Sequence, residues 1–432
     1  MGRPRLLPHL HLLLLLLLCS LAISFYCYYY YYYHESLLSP SATTHFTFLP
    51  SSYPRKPIEI HKHQNQILQT LTKDNRGLFA QPPYHNWEIF RDDFNQMLKN
   101  FKIFVYPDAF LPSAPFANIF LPHPNPLDAK LGNYFSEHMF KISLLNSSLL
   151  TSNPHEAHLF FMPFSINALR NDPRVRSEPS IADFVAGYTA EIAQKFKFWN
   201  ASKGADHFFV FCHSVGRDAA SKHEDLHYNA IQVACSSTYF HRLYVSHKDI
   251  ALPQVWPHLL NQTLISPNSR TRLIFFSGRA QNSRVRQELI ATWQNDTSMD
   301  VFSGYPPFPV EEGFKRSRYC LHVKGYEVNT ARISDALNYG CVPVIVSDHY
   351  DLPFANVLDW TKFAVIVSHG DVRFLKQILM SIPRKTYIGL YSNLLIVRKH
   401  FRWHATPRGY DAFHMTAYQL WLRRGIHSFS FV

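Results

Sequence analysis

The chain has 432 residues, 47% of them apolar and 15% aromatic, which is enough for two domains with full cores. Its net charge of +12 is scattered, with no basic arm and no nucleic-acid motif. Nucleic acid is therefore not an expected partner, whereas an anionic substrate or a membrane surface suits the charge.

The first element is at the N-terminus. Arg3 and Arg5 precede Leu12–Tyr33, a segment without a charged residue that ends in a run of tyrosines. About 20 apolar residues cross a bilayer, and positive charge before the span keeps that end cytoplasmic. This favours a transmembrane signal-anchor (12–33, after a tail over 1–11) over a cleaved signal peptide. A Ser/Thr/Pro/His-rich stem and a leading helix then occupy 34–100, with Trp87, Phe90, Phe94 and Met97 at helical spacing.

A first α/β domain is expected over 101–267. Its strands are Phe101–Tyr106, Ala157–Met162, His207–Phe211 and, more weakly, Arg242–Val245; its helices include Tyr134–Leu145 and Ile181–Phe198. A second α/β domain is expected over 268–400. It begins with a strand at Thr271–Phe276 and a helix at Ser283–Trp293, and it ends with a strand at Phe363–Ser368 and a helix at Val372–Ile382. Alternating strands and helices predict mostly parallel sheets with a ligand cleft between the domains. The tail, 401–432, carries a helical pattern over Thr406–Arg424 that suits packing back on the first domain. Asn146, Asn200, Asn261 and Asn295 each head an Asn-x-Ser/Thr glycosylation triplet. Outside the span four cysteines remain, Cys212, Cys235, Cys320 and Cys341, enough for two disulfides in an oxidising lumen. Free thiols fit as well. No cysteine/histidine spacing suggests zinc.

The densest signal lies in Ser317–Asp348. Tyr319–Val323 reads as a strand and Lys324–Asn329 as a polar loop. Thr330–Tyr339 reads as a helix with Ile333, Ala336 and Leu337 on one face, Gly340 as its stop, and Cys341–Val346 as a buried parallel strand. Such βαβ units hold ligands at the carboxyl ends of their strands. Those ends offer Ser277-Gly278-Arg279, Lys324-Gly325-Tyr326-Glu327 and Ser347-Asp348-His349, with Arg284 and Arg286 at a helix start. Glycine permits close backbone approach, arginine binds phosphate oxygens through paired N–H groups, and Glu327 and Asp335 can accept hydrogen bonds from sugar hydroxyls. Arg332 sits between those carboxylates, where an ordinary i,i+3 pair with Asp335 is the plain alternative.

The segment resembles the exostosin-type glycosyltransferases (family 47), and most closely their plant cell-wall polysaccharide branch. The resemblance rests on Cys320, Gly325-Tyr326-Glu327-Val328, Arg332-Ile333, Asp335-Ala336 and Gly340-Cys341-Val342-Pro343-Val344-Ile345. Phe161-Met162-Pro163-Phe164, Gly204–Phe209, His247-Lys248-Asp249-Ile250 and Asp351-Leu352-Pro353-Phe354 add to it, so it spans roughly 100–380. It implies a GT-B architecture of two Rossmann-like domains facing across a cleft. It also implies transfer, with inversion, from a nucleotide-sugar such as a UDP-sugar to a wall polysaccharide, pectin or hemicellulose. No cofactor is bound and no metal is required on this reading. The protein would be a Golgi type II membrane protein with a lumenal catalytic part, open to homo- or hetero-oligomers with other glycosyltransferases. By analogy the donor would be held by Gly278, Arg279, Arg286, Lys324, Gly325, Glu327, Arg332 and Asp335.

An inverting transfer also needs a base for the acceptor hydroxyl. His213, at the carboxyl end of His207–Phe211, and Asp206, at its start, are the candidates, with Asp218 and Glu224 in reserve. His213 also reads as an ordinary loop residue in a chain of 25 histidines. Many relatives read Cys-His-Asp-Trp here, whereas this chain reads Cys212-His213-Ser214-Val215. That departure keeps open a catalytically inactive protein that binds polysaccharide or supports an active partner. A glycoside hydrolase would need two facing carboxylates and is disfavoured by the nucleotide-type segment.

Overall fold

The computed structural model describes residues 82–425 apart from 124, 126–127, 176, 240–242 and 258–263. The expected membrane span, the stem and the Asn261 triplet lie outside the described residues. No helix among the described residues is long and apolar enough to cross a membrane.

The chain opens with α1 (Trp87–Asn100), which Asn86 caps by accepting the Ile89 N–H at 3.1 Å; it buries Phe90, Phe94 and Met97. Next come β1 (Ile103–Val105), α2 (Phe135–Leu145), β2 (Leu150–Thr151) and β3 (Leu159–Phe161). Then follow α3 (Glu178–Lys195), β4 (His207–Phe211), α4 (Val215–Ser221), β5 (Ile231–Ala234) and β6 (Ile250–Ala251). These strands form one parallel sheet in the order β2-β1-β3-β4-β5-β6. The single helix expected over Ile181–Phe198 is broken at Phe196, whose extended backbone (φ −127°, ψ 126°) separates α3 from a short helix at Lys197–Ser202. The strand expected over Arg242–Val245 is not there: Leu243–Val245 is turn and irregular backbone, while β5 and β6 on either side pair instead.

The second half runs β7 (Arg272–Gly278), α5 (Arg284–Trp293), β8 (Asp300–Ser303), α6 (Val310–Arg316), β9 (Ser317–Val323), α7 (Arg332–Tyr339), β10 (Val342–Val346), β11 (Val365–Ile366), α8 (Arg384–Val397) and α9 (Ala412–Arg423). Its strands form a second parallel sheet, β11-β10-β9-β7-β8. Continuous apolar runs give strands buried on both faces, and all five residues of β10 are buried. On α7, Ile333, Ala336 and Leu337 are buried as the spacing predicts. Gly340 adopts φ 70° at its end, so that the Cys341 N–H reaches the Ala336 carbonyl at 2.8 Å.

Both cysteine pairs are disulfides. Cys212–Cys235 joins the carboxyl ends of β4 and β5, and Cys320–Cys341 joins β9 to the start of β10. The helix α9 packs on the first half: the Tyr418 hydroxyl and the Trp421 indole N–H both donate to Asp93 of α1 (2.9 and 3.0 Å), and Phe413 meets Phe140 of α2. The chain therefore crosses between the halves twice. Both crossings meet the Ser136 hydroxyl, which donates to Pro253 O (2.7 Å) and accepts from Val255 N (3.0 Å) and Trp403 Nε1 (3.2 Å). A third connection is a strap at Ser236–Tyr239. Ser237 Oγ donates to Asp351 O, Thr238 bridges Tyr350, and the Tyr239 and Tyr244 hydroxyls donate to the Asp351 carboxylate (2.7 and 2.6 Å).

Candidate active site

In the second sheet the chain leaves β7 toward β8 on one side and leaves β9 toward β10 on the other. The gap between the carboxyl ends of β7 and β9 is thus a topological switch point, the place where open α/β sheets take ligands. Two arginines cross-brace it. Arg286 of α5 donates from Nε and Nη2 to Val323 O at the end of β9 (3.2 and 2.9 Å). Arg332 of α7 donates from Nε and Nη2 to Ser277 O near the end of β7 (3.0 and 2.6 Å). Both guanidinium carbons lie over the Phe276 ring, at 5.7 and 5.6 Å. Burial, with the charge of Arg332 beside it, lowers the Arg286 pKa to about 10; burial also lowers that of Arg332, against the pull of Asp335. Two cations held this close, and charged at neutral pH, make a seat for an anion.

Glycine makes the seat reachable. A Cβ on Gly325 would lie 2.8 Å from Arg286 Nη2, and one on Gly278 would lie 3.0 Å from Arg332 Nη2, so a side chain at either position would push on a braced guanidinium group. Ser283 fixes the start of α5: its Oγ accepts the Arg286 N–H (3.3 Å) and donates to Lys324 O (2.7 Å). His322, buried beneath the loop, contacts Val328 O and Thr330 Oγ1, both at 2.9 Å, and Thr330 Oγ1 accepts the Arg332 N–H. Burial holds this imidazole neutral, lowering its pKa to about 3.

A cavity of about 1040 Å³ opens over this seat, and both halves line it. Of the residues expected from the sequence, it brings together Gly278, Arg279, Arg286, Gly325, Glu327, Arg332 and Asp335 on one wall and His213 on the other. Glu327 is gripped from the first half: Arg217 Nη2 of α4 lies 3.4 and 3.5 Å from its two oxygens, and Ser236 Oγ donates to Oε2. His213 stacks on Tyr134 (centroids 5.2 Å apart, planes at 18°), and burial and Arg170 lower its pKa, leaving the imidazole neutral at pH 7. The buried Glu137 carboxylate holds the same loop by accepting Cys212 N at 3.1 Å.

Other expectations are corrected. Asp206 lies at the amino end of β4, away from the cavity, where it accepts from Ser202 Oγ (2.5 Å) and contacts His207 Nδ1 (2.6 Å). Parallel strands put amino and carboxyl ends on opposite edges of a sheet, so Asp206 and His213 cannot share a site. Lys324 turns its carbonyl to Ser283 and does not line the cavity; neither do Ser347 and Asp348, the latter paired with His369 at 3.2 Å. Asp218 and Glu224 are exposed outside the cavity. The sequence reading missed Tyr134, Gln254, Trp256 and Tyr305, all of which line the cavity. Gly304 after the apolar Val301-Phe302 was a signal for the last of these, and Gln254 and Trp256 carried none. Asn146, Asn200 and Asn295 are exposed. Among the described residues no cluster of His, Cys, Asp and Glu is placed to hold a metal ion.

The chain is similar in sequence to known proteins. A family model described as the exostosin GT47 domain matches residues 97–382. The probable glycosyltransferase At3g07620 of Arabidopsis thaliana is 33% identical over 357 residues, covering 79% of this chain and 72% of the relative. A probable glucuronosyltransferase of Oryza sativa subsp. japonica (Os01g0926700) is 27% identical over 302 residues, 65% of this chain and 71% of the relative. The probable beta-1,4-xylosyltransferase IRX10L of Arabidopsis thaliana is 28% identical over 301 residues, again 65% and 71%.

Proposed function

Because the chain belongs to the exostosin glycosyltransferase family 47, we propose that this glycosyltransferase moves a sugar from a UDP-sugar to a pectic or hemicellulosic acceptor, with inversion. The observation that carries the reading is the pair Arg286 and Arg332 at the switch point beneath a cavity that both halves line. The donor diphosphate sits on the two guanidinium groups, which also neutralise the charge that builds on the leaving UDP as the glycosidic bond breaks. Glu327 and Asp335 accept hydrogen bonds from ribose or donor-sugar hydroxyls. On the facing wall the neutral His213 takes the proton of the acceptor hydroxyl as its oxygen attacks the anomeric carbon from the side opposite UDP.

Two disulfides and three exposed glycosylation triplets support a lumenal setting. With the apolar segment 12–33 they support a Golgi type II membrane protein that works beside other glycosyltransferases. The second reading, an inactive binding partner, draws on the Cys212-His213-Ser214-Val215 loop, in which Ser214 rather than a carboxylate lines the cavity. A panel of nucleotide-sugars offered to the purified protein with xylan and homogalacturonan fragments separates the two. Transfer from one donor supports the enzyme. Binding of UDP without hydrolysis or transfer from any donor supports the inactive partner.

A further inference from the structure

The donor groups account for one wall of the cavity. The facing wall has a different chemistry. The turn at Ala129–Tyr134 carries an aromatic ring on each side. At one end the Trp256 indole lies against Gly132, where a Cβ would sit 3.6 Å from the ring. At the other end His213 stacks on Tyr134. Trp256 comes from the first crossing between the halves and keeps 39% of its surface exposed, although it lines the cavity. Two residues before it, Gln254 is clamped: its Nε2 donates to Asn133 O (3.0 Å), its Oε1 accepts from Asn329 Nδ2 (2.9 Å), and its carbonyl accepts from Ser334 Oγ (2.7 Å). The backbone that presents the indole is thus tied to both halves. An exposed indole in a cleft of polar and charged groups is a surface for a ligand with one apolar face and hydroxyls at its rim. The volume of about 1040 Å³ exceeds the roughly 300–1,000 Å³ typical of single-ligand pockets, which suits a second molecule beside a nucleotide.

We infer that Trp256 and the Tyr134–His213 stack form the acceptor-glycan subsite, in which the C–H face of a pyranose ring lies on the indole and one of its hydroxyls points to His213. The inference rests on the glycosyltransferase reading above and adds the residue that recognises the acceptor. It is tested with purified full-length protein and three probes: UDP, xylohexaose and hexagalacturonic acid. Binding is followed by calorimetry for wild type, Trp256→Ala and Trp256→Phe, with thermal melting as the control for folding. At least one of the two oligosaccharides should bind wild type. Trp256→Ala should weaken that binding roughly tenfold, as expected for the loss of one stacked ring, and Trp256→Phe should restore part of it. UDP should bind all three proteins equally. An unchanged oligosaccharide affinity in a folded Trp256→Ala protein would overturn the assignment. So would UDP binding by wild type without binding of either oligosaccharide, an outcome that leaves the donor site standing. Oligosaccharide binding without UDP binding would instead sink the transferase reading, and the subsite with it.

Discussion

Arg286 and Arg332 carry like charge, and each uses only Nε and Nη2 to hold the carbonyl at the end of the other's strand. Removing either takes away a charge and also a brace. Arg332→Ala should weaken UDP binding by about tenfold or more, as expected for the loss of a charge-assisted contact of ~1.5–3 kcal/mol. Calorimetry checks this, and unchanged affinity in a folded protein would remove Arg332 from the donor site. The sequence marked both arginines, because spacing and glycine placement are local. It does not tell which way a carbonyl faces, and in the structure the Lys324 carbonyl is held by Ser283 while the residue stays off the cavity lining. Nor could it separate Asp206 from His213. They bracket one strand in the sequence, and only its direction in a parallel sheet puts them at opposite edges.

Strands with a continuous apolar stretch were legible: β10 is apolar and buried throughout, and β7 and β9 carry the stretches Leu273–Phe276 and Tyr319–Leu321. Two that escaped, β5 and β8, carry a polar residue whose partner is remote. In β5 the Gln232 backbone N–H donates to Asp249 Oδ1 (3.0 Å) and its side-chain Nε2 to Leu243 O (3.1 Å). In β8 the buried Asp300 accepts from Arg272 Nε (3.0 Å) and Arg316 Nε (2.8 Å). Polarity that tertiary contacts cancel looks like a loop in sequence. The Cys212–Cys235 disulfide has a role at this scale. It joins the segment carrying His213 and Arg217 to the strap carrying Ser236, and both segments reach Glu327. Replacing both cysteines by serine should cost about 3 kcal/mol, the expectation for a loop of this length. It should also lower UDP affinity, because Glu327 loses its fixed partners. Urea unfolding and calorimetry read the two effects; lost stability with unchanged UDP binding would show that the strap does not serve the donor site.

For the molecule as a whole, buried histidines contribute to the response to acid, and two of them bear on the site and the crossing. His322, under the motif loop, and His400, on the return crossing, are buried and neutral, and burial lowers the pKa of each to about 3. The unfolded chain takes up protons near pH 6.5, whereas the folded one does so near pH 3. Stability is therefore full above about pH 6.5 and falls as the pH drops toward 3, by up to ~1.4 kcal/mol per pH unit for each histidine. The thermal midpoint should decline steadily from pH 7 to pH 4.5. His322→Gln should flatten the slope, and an unchanged slope would show that the imidazole is not what titrates.

The two crossings that meet at Ser136, together with the strap at Ser236–Tyr239, have a mechanical consequence. A single connecting thread would let the sheets swivel freely. Two threads pinned on one hydroxyl, with further attachments at the strap and between Arg217 and Glu327, restrain that swivel at several points. The cavity that both halves line therefore has walls whose relative setting is restrained by contacts outside the cavity as well as within it.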